Sequence, residues 1–392
     1  MTRNSGGDIM KGWGRFDPIP GNKMFEALYN EEGVIMAVNT RILPGVARGI
    51  FSAARDLRAA VIFELAMSES DLDGGYTGLT PHEFSKTVRA IADDVGFGQW
   101  ALHADHTTVK KGTEDEVKRI KELLKAHISA GYTSFAIDAS FLFDLSDTTV
   151  LGQLQKNIDV TAELAHFIKE KMGGREFGLE VEVGEIGKKD KGGLVLTTVE
   201  EATTFIDQLQ KRKVFPQVLA IANGSTHGNI YDQHGNLIEQ VSINIERTVE
   251  VAKAIEPFKV RIAQHGITGT PLRLINTQFP KGLIIKGNVG TLWQNLAWEV
   301  FSVFEPELLG DIHNWTLGKY RDEAAQKGIT RNNEIIGKYS KYAIKEFKTR
   351  MDDLSEETKH ALEARTYAEA LLFFKAFSAV GTADKVREYL ET

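Results

Sequence analysis

The stretch Trp100–Val109, WALHADHTTV, ends an apolar run on His103, Asp105 and His106. Burying such side chains is unfavourable unless a partner compensates. Alternate side chains of a strand point to opposite faces, so His103 and Asp105 share one face. His106 then takes the other face or the turn. A metal ion at the strand end would compensate the cluster, provided other segments supply further ligands. Two more histidines stand in equivalent places: His227 just past VLAIANG, and His265 at the end of VRIAQHG. Neutral imidazole is the commonest metal ligand, and three protein ligands with one open position is the usual catalytic zinc arrangement. Nearby runs carry carboxylates, with Asp138 in SFAIDAS and Glu180 and Glu182 alternating in GLEVEVG. A lone histidine at a strand end is more often a hydrogen-bonded structural residue. Three at equivalent ends, beside carboxylates, point instead to one shared ion.

A second feature could bind an anion. HGITG (265–269) and GNVGT (287–291) each pass from an apolar run directly into a helical pattern. Glycines there leave backbone N–H groups exposed, and a helix N-terminus attracts anions. Thr268 and Thr291 can add hydroxyl donors. The plainer reading is that these glycines only make tight turns. No GxxxxGK[ST] segment occurs, so a nucleotide P-loop is unsupported.

The elements that must position these groups alternate along the chain. Apolar runs at 33–40, 60–66, 100–106, 134–140, 178–184, 218–224, 260–266 and 282–288 are each followed by a helical pattern. In EDEVKRIKELLKAHISAG, Val117, Ile120, Leu123, Leu124 and Ile128 recur at the three- and four-residue spacing of a buried helix face. Alternating strand–helix units imply a parallel sheet. Eight of them can close into a (β/α)₈ TIM barrel, whose catalytic groups come from the C-terminal strand ends. A doubly wound open sheet is the alternative. The barrel is expected over about 24–305, followed by a helical C-terminal extension over about 306–392, all within one domain.

The 392 residues are 42% hydrophobic and 26% charged, with no apolar run long enough to span a membrane. The first residues show no apolar signal core, and a cytoplasmic location is expected. A net charge of −7 argues against nucleic acid as a partner. The absence of cysteine removes disulfides, thiolate metal ligands and cysteine nucleophiles, so any zinc is held by His and carboxylates.

The segments LHADH, FAIDAS, LEVEVGEIG, NGSTHGNIY, AQHGITG and IKGNVGT come in the order and approximate spacing of the class II, metal-dependent ketose-bisphosphate aldolases. AVNT resembles the first strand of that family, and the similarity covers about residues 24–300. The resemblance implies a (β/α)₈ barrel, a homodimer or homotetramer, and a small phosphorylated sugar as substrate. It implies Zn²⁺ or another divalent metal on His106, His227 and His265, with Asp138 and Glu182 near an alternative metal position. Asp105 matches the residue that moves a proton at the carbon-bond oxygen. Asn39, Gly228, Gly266, Thr268, Gly269, Asn288 and Thr291 match the region that holds dihydroxyacetone phosphate, often with K⁺ or Na⁺ nearby. Asp190, in the loop GEIGKKDKGG, falls at the place of a second proton-transfer group, a Glu in the family.

The chemistry fits those parts. Cleaving a ketose between its third and fourth carbons leaves a carbanion, which a metal on the carbonyl spreads into an enediolate. A carboxylate takes the proton from the fourth-carbon hydroxyl as the aldehyde leaves, and a gripped phosphate fixes the reacting carbons.

The chain also departs from the pattern. Ala66 stands where the family usually has Ser, Leu292 replaces an Asp, and Asp232 stands where a Lys often helps the phosphate. For a far phosphate, Arg350 and Arg365 are candidates. The expected substrate is fructose 1,6-bisphosphate, with tagatose bisphosphate or another ketose phosphate as alternative. Rival functions are a metal-dependent barrel hydrolase, whose first-strand H-x-H is absent, and a non-catalytic barrel. A Schiff-base aldolase would need a desolvated lysine, for which Lys286 is placed.

Overall fold

The computed structural model describes residues 16–187, 189–190 and 193–392, the side chains of 189, 190 and 193 excepted. Eight strands close a parallel barrel: β1 (Ile35–Asn39), β2 (Val61–Ala66), β3 (Trp100–Thr108), β4 (Ser134–Asp138), β5 (Gly178–Val183), β6 (Val218–Ile221), β7 (Arg261–Gln264) and β8 (Ile284–Val289). Each pairs with its neighbours in sequence, and β8 pairs with β1. This is the expected (β/α)₈ barrel; the open-sheet alternative is excluded because the sheet has no edge.

Local sequence explains why the helices begin where they do. Thr80 and Thr198 each accept from the third helical N–H, while Glu83 and Glu201 reach back to the cap. These are reciprocal capping boxes. Pro44 lies two residues ahead of its helix, Val46–Leu57, rather than inside the first turn.

The main core lies between the sheet and the helices. Phe51 of helix Val46–Leu57 stacks on Phe63 of β2 at 4.1 Å and meets Trp100 of β3 edge-on at 5.4 Å. Strand residues facing inward at the N-terminal end (Ala37, Ile62, Ala101, Ala220 and Ala263) are small or aliphatic. They pack on Met24, Phe25 and Leu28 of helix Gly21–Leu28, which plugs the barrel floor. The floor is therefore apolar and sealed, and polar interior residues concentrate toward the other end.

After helix Thr291–Phe304 the chain is helical, as expected. Helix Glu356–Ala376 packs against the first barrel helix, where Thr366 Oγ1 bonds the Val46 carbonyl. Segment Ser340–Ala343 returns toward the barrel mouth. Among the described residues no helix is long and apolar enough to cross a membrane.

Candidate active site

Strand β3 is the longest of the barrel, and it is irregular where the chemistry sits. Against β4, Ala104 pairs with Phe135 and Thr107 with Ile137, so three steps on β3 match two on β4. The extra residue is a bulge at Asp105–His106. Bulges re-aim side chains next to active sites. His106 has φ +40°, an uncommon conformation for a non-glycine residue. That turn brings the ring onto the rim, the second of the two places that alternation along the strand left open for it.

The three histidines meet there. Ring centroids lie 4.4 Å apart for His106–His265, 5.2 Å for His106–His227 and 6.1 Å for His227–His265. One nitrogen from each lies within 4.8 Å of the others. His265 Nε2–H donates to Glu180 Oε1 at 2.7 Å, which leaves Nδ1 for another role. His106 Nδ1 is 3.1 Å from Glu182 and 3.7 Å from Asp138, while its Nε2 is buried with no partner. An orphaned imidazole nitrogen beside two other imidazoles fits a divalent cation. His106, Asp138 and Glu182 form an overlapping group of the same compactness. A third group, Glu64, His103 and Asp105, already holds a cation. The Lys286 ammonium lies 2.9 Å from Glu64 and 3.8 Å from Asp105.

Burial and charge set the protonation states. Burial alone would lower His106, but Asp105 and Glu182 raise it well above free imidazole. Burial, then the neighbouring His106 charge, lowers His265. Burial and the adjacent Asp138 push Glu182 up to about 8. Against its burial, His106 and Lys286 hold Asp105 well below the usual carboxylate range. Asp105 is therefore ionised and acceptor-only. Asn39 Nδ2 donates to Oδ2 at 3.0 Å, and Asn288 Nδ2 to Oδ1 at 3.3 Å, so its orientation is fixed.

A cavity of about 340 Å³ opens over these groups. Asn39, Asp105, Asp138, Glu182 and Asn288 line it with the three histidines, as do Gly228, Gly266, Thr268 and Thr291. Gly269 does not line it; its carbonyl accepts from the Gln240 N–H behind the wall. Asp190 belongs to a two-residue strand, Lys189–Asp190, paired with Gly193–Leu194; its side chain lies outside the described residues.

The candidates for a far phosphate, and the lysine of the rival Schiff-base reading, do not stand where those roles need them. Arg350 pairs with Asp311, and Arg365 with Glu369 and Glu299, on the surface and away from the cavity. Lys286 is fully buried, 2.7 Å from Glu180 and 2.9 Å from Glu64, and these carboxylates raise its pKa despite burial. A Schiff-base lysine needs the opposite, a neutral amine.

The structure also adds residues with no assigned role in the sequence reading. Glu180 orients His265, and Lys286 anchors Glu180. The alternation of Glu180 with Glu182 on a doubly buried strand was its visible signal. Arg41, Glu69, Tyr76 and Lys341 also line the cavity. Glu69 and Tyr76 share the loop after β2, Arg41 and Lys341 come from two other segments, and the four share no motif.

The model of the family described as fructose-bisphosphate aldolase class-II matches residues 20–359. The chain belongs to that family. The aldolases of this family are metal-dependent lyases, in keeping with the donor set. A D-tagatose-1,6-bisphosphate aldolase subunit GatZ of Escherichia coli O1:K1 is 32% identical over 103 residues, or 25% of this chain. That alignment spans only 24% of the relative's length. Among solved structures, the YdjI aldolase of Escherichia coli K12 superposes with TM-score 0.60 at 17% identity, covering 93% of this chain and 99% of that one. The fructose-bisphosphate aldolase of Campylobacter jejuni superposes with TM-score 0.60 at 16% identity, covering 93% and 97%. These two likenesses establish the barrel fold.

Proposed function

We propose that the chain catalyses reversible aldol cleavage of a ketose phosphate, with fructose 1,6-bisphosphate yielding dihydroxyacetone phosphate and glyceraldehyde 3-phosphate. One observation carries this reading: three imidazoles share donor distance, one with an orphaned nitrogen, beside a fixed, ionised Asp105. His106, His227 and His265 would hold Zn²⁺ or another divalent cation, with Asp138 and Glu182 near an alternative position. The cation supplies an electron sink for charge developing next to the ketone carbonyl.

The protein's own groups do the rest. Asp105 accepts the proton of the fourth-carbon hydroxyl as the bond to the third carbon breaks. Asn39 and Asn288 keep its oxygens aimed. Gly228, Gly266, Thr268 and Thr291 offer N–H and hydroxyl donors to the near phosphate, where K⁺ or Na⁺ would add charge. Asp190 is the candidate for proton exchange at the third carbon. Assembly into a homodimer or homotetramer belongs to the same reading.

Tagatose 1,6-bisphosphate is the second substrate reading, favoured by the stretch shared with the GatZ subunit. The test is metal analysis of the purified chain joined to a ketose phosphate panel with triose release measured. Metal-dependent triose release supports the proposal. Full activity in excess chelator, or phosphate release without a triose, contradicts it.

A further inference from the structure

The opposite end of the barrel carries a recess of its own. Among the described residues it shares no lining residue with the cavity at the mouth. It lies where two strands begin: Phe177 precedes β5 and Gln217 precedes β6. The C-terminal ends of helices Val150–Met172 and Val199–Lys211 wall it. Its volume is about 410 Å³. Small-molecule sites span ~300–1,000 Å³.

The charge of this recess is one-sided. Lys169, Arg175 and Lys213 line it, and none forms an ion pair among the described residues. Arg175 Nε donates to the Met172 carbonyl at 3.0 Å, and the rest of its guanidinium is uncommitted. Among the described residues Glu176 is the one carboxylate that lines the recess, and Lys23 holds it at 2.9 Å. The helix dipole accounts for Lys169, which stands in the last turn of its helix. It does not account for Arg175 and Lys213, which lie beyond the helix ends. Like charges gathered without a counter-charge repel, and an anion would relieve them.

The walls are aromatic. Phe135 holds the Phe177 ring edge-on at 5.8 Å. Phe215 is 57% exposed and makes no ring contact among the described residues, so its face is free. Nucleic bases stack on such faces, while phosphates pair with Arg and Lys. Asn22 adds a polar point to the lining: its Nδ2 donates to Glu26 at 3.4 Å, and its buried Oδ1 has no partner. A ligand N–H would satisfy that oxygen. A bare phosphate would use the cations and leave the rings idle, and an uncharged ring would do the reverse.

We propose that this recess binds a nucleoside monophosphate, its base against Phe215 and Phe177 and its phosphate on Lys169, Arg175 and Lys213. The site is remote from the aldolase chemistry and stands whether or not that reading holds.

Isothermal titration of the zinc-loaded full chain with adenosine 5′-monophosphate, adenosine and inorganic phosphate tests this. The monophosphate should bind at least about tenfold more tightly than either fragment. Two variants distinguish this recess from the barrel mouth, and both side chains are exposed, so both variants should fold. Phe215→Ala should weaken the monophosphate about tenfold and leave inorganic phosphate unchanged. Lys213→Met should weaken the monophosphate several-fold, with the difference shrinking as salt is added. No binding of the monophosphate up to about 1 mM overturns the proposal. Unchanged affinity in either variant overturns it as well, because the ligand then sits elsewhere. Inorganic phosphate binding as tightly as the monophosphate also overturns it, since the base then contributes nothing.

Discussion

Replacing Lys286 by Met should destabilise the protein in a pH-dependent way. Its ammonium is fully buried, 2.7 Å from Glu180 and 2.9 Å from Glu64. At an effective dielectric of ~20 the Glu180 contact is worth ~6 kcal/mol before desolvation; burial and Asp105 push the Glu64 carboxyl well above its usual range, so that contact counts for less. Breaking a buried pair by removing one partner loses about 3–5 kcal/mol. For 392 residues the unfolding entropy is ~0.8 kcal/mol/K, so Tm should fall by ~5 °C. The pH dependence follows from Glu180, which against its burial is held well below the usual range by Lys286 and His265. Its native contribution is complete above its unfolded value near 4.5 and is lost only as pH falls through the depressed native value. Without Lys286, burial pushes Glu180 up, and the penalty for ionising it grows with pH above ~4.5. Thermal melts of metal-free protein at about pH 8 and about pH 5 should show the larger loss at about pH 8. A loss under ~1 kcal/mol, or one equal at both pH values, refutes the ion-pair reasoning.

Asp105→Asn should lower triose release by ~10²–10⁴-fold while bound metal per chain stays unchanged, checked by turnover and elemental analysis together. Metal uptake should release protons, because His106 is protonated well above the ordinary imidazole value and must lose that proton to bind. Calorimetry at about pH 7 in buffers of different ionisation enthalpy should return roughly one proton per ion, with affinity weakening as pH falls. Gly228 has φ +82° and open space where a Cβ would stand. Gly228→Ala should cost ~1–2 kcal/mol of stability for the left-handed backbone and raise KM for phosphorylated substrate, seen by melts and kinetics. Gly266→Ala should destabilise more, since its Cβ would come within 2.6 Å of the Thr226 carbonyl oxygen.

The barrel was legible because eight apolar runs alternate with helical patterns, and that rhythm allows few topologies. His106, His227 and His265 were legible because strand ends in such a barrel converge on one rim. What escaped was decided by three-dimensional contact. The bulge that turns His106 inward leaves no composition signal in LHADHTT. Lys286 qualified by position for the rival Schiff-base reading, and only the fold shows Glu64 and Glu180, from opposite parts of the barrel, beside its ammonium. Gly269 shares a motif with Gly266 and Thr268, yet the turn carries it behind the wall. Arg41 and Lys341 are 300 positions apart, and only the return of the C-terminal helices brings them to one mouth.

One divalent cation shared by three imidazoles is what the proposed function requires. Anomalous diffraction at the zinc edge, from crystals of the zinc-loaded protein, tests it most directly. One strong peak per chain is expected, ~2.0–2.1 Å from a nitrogen of each of His106, His227 and His265. A peak elsewhere, or no peak in protein that still releases triose, would contradict it.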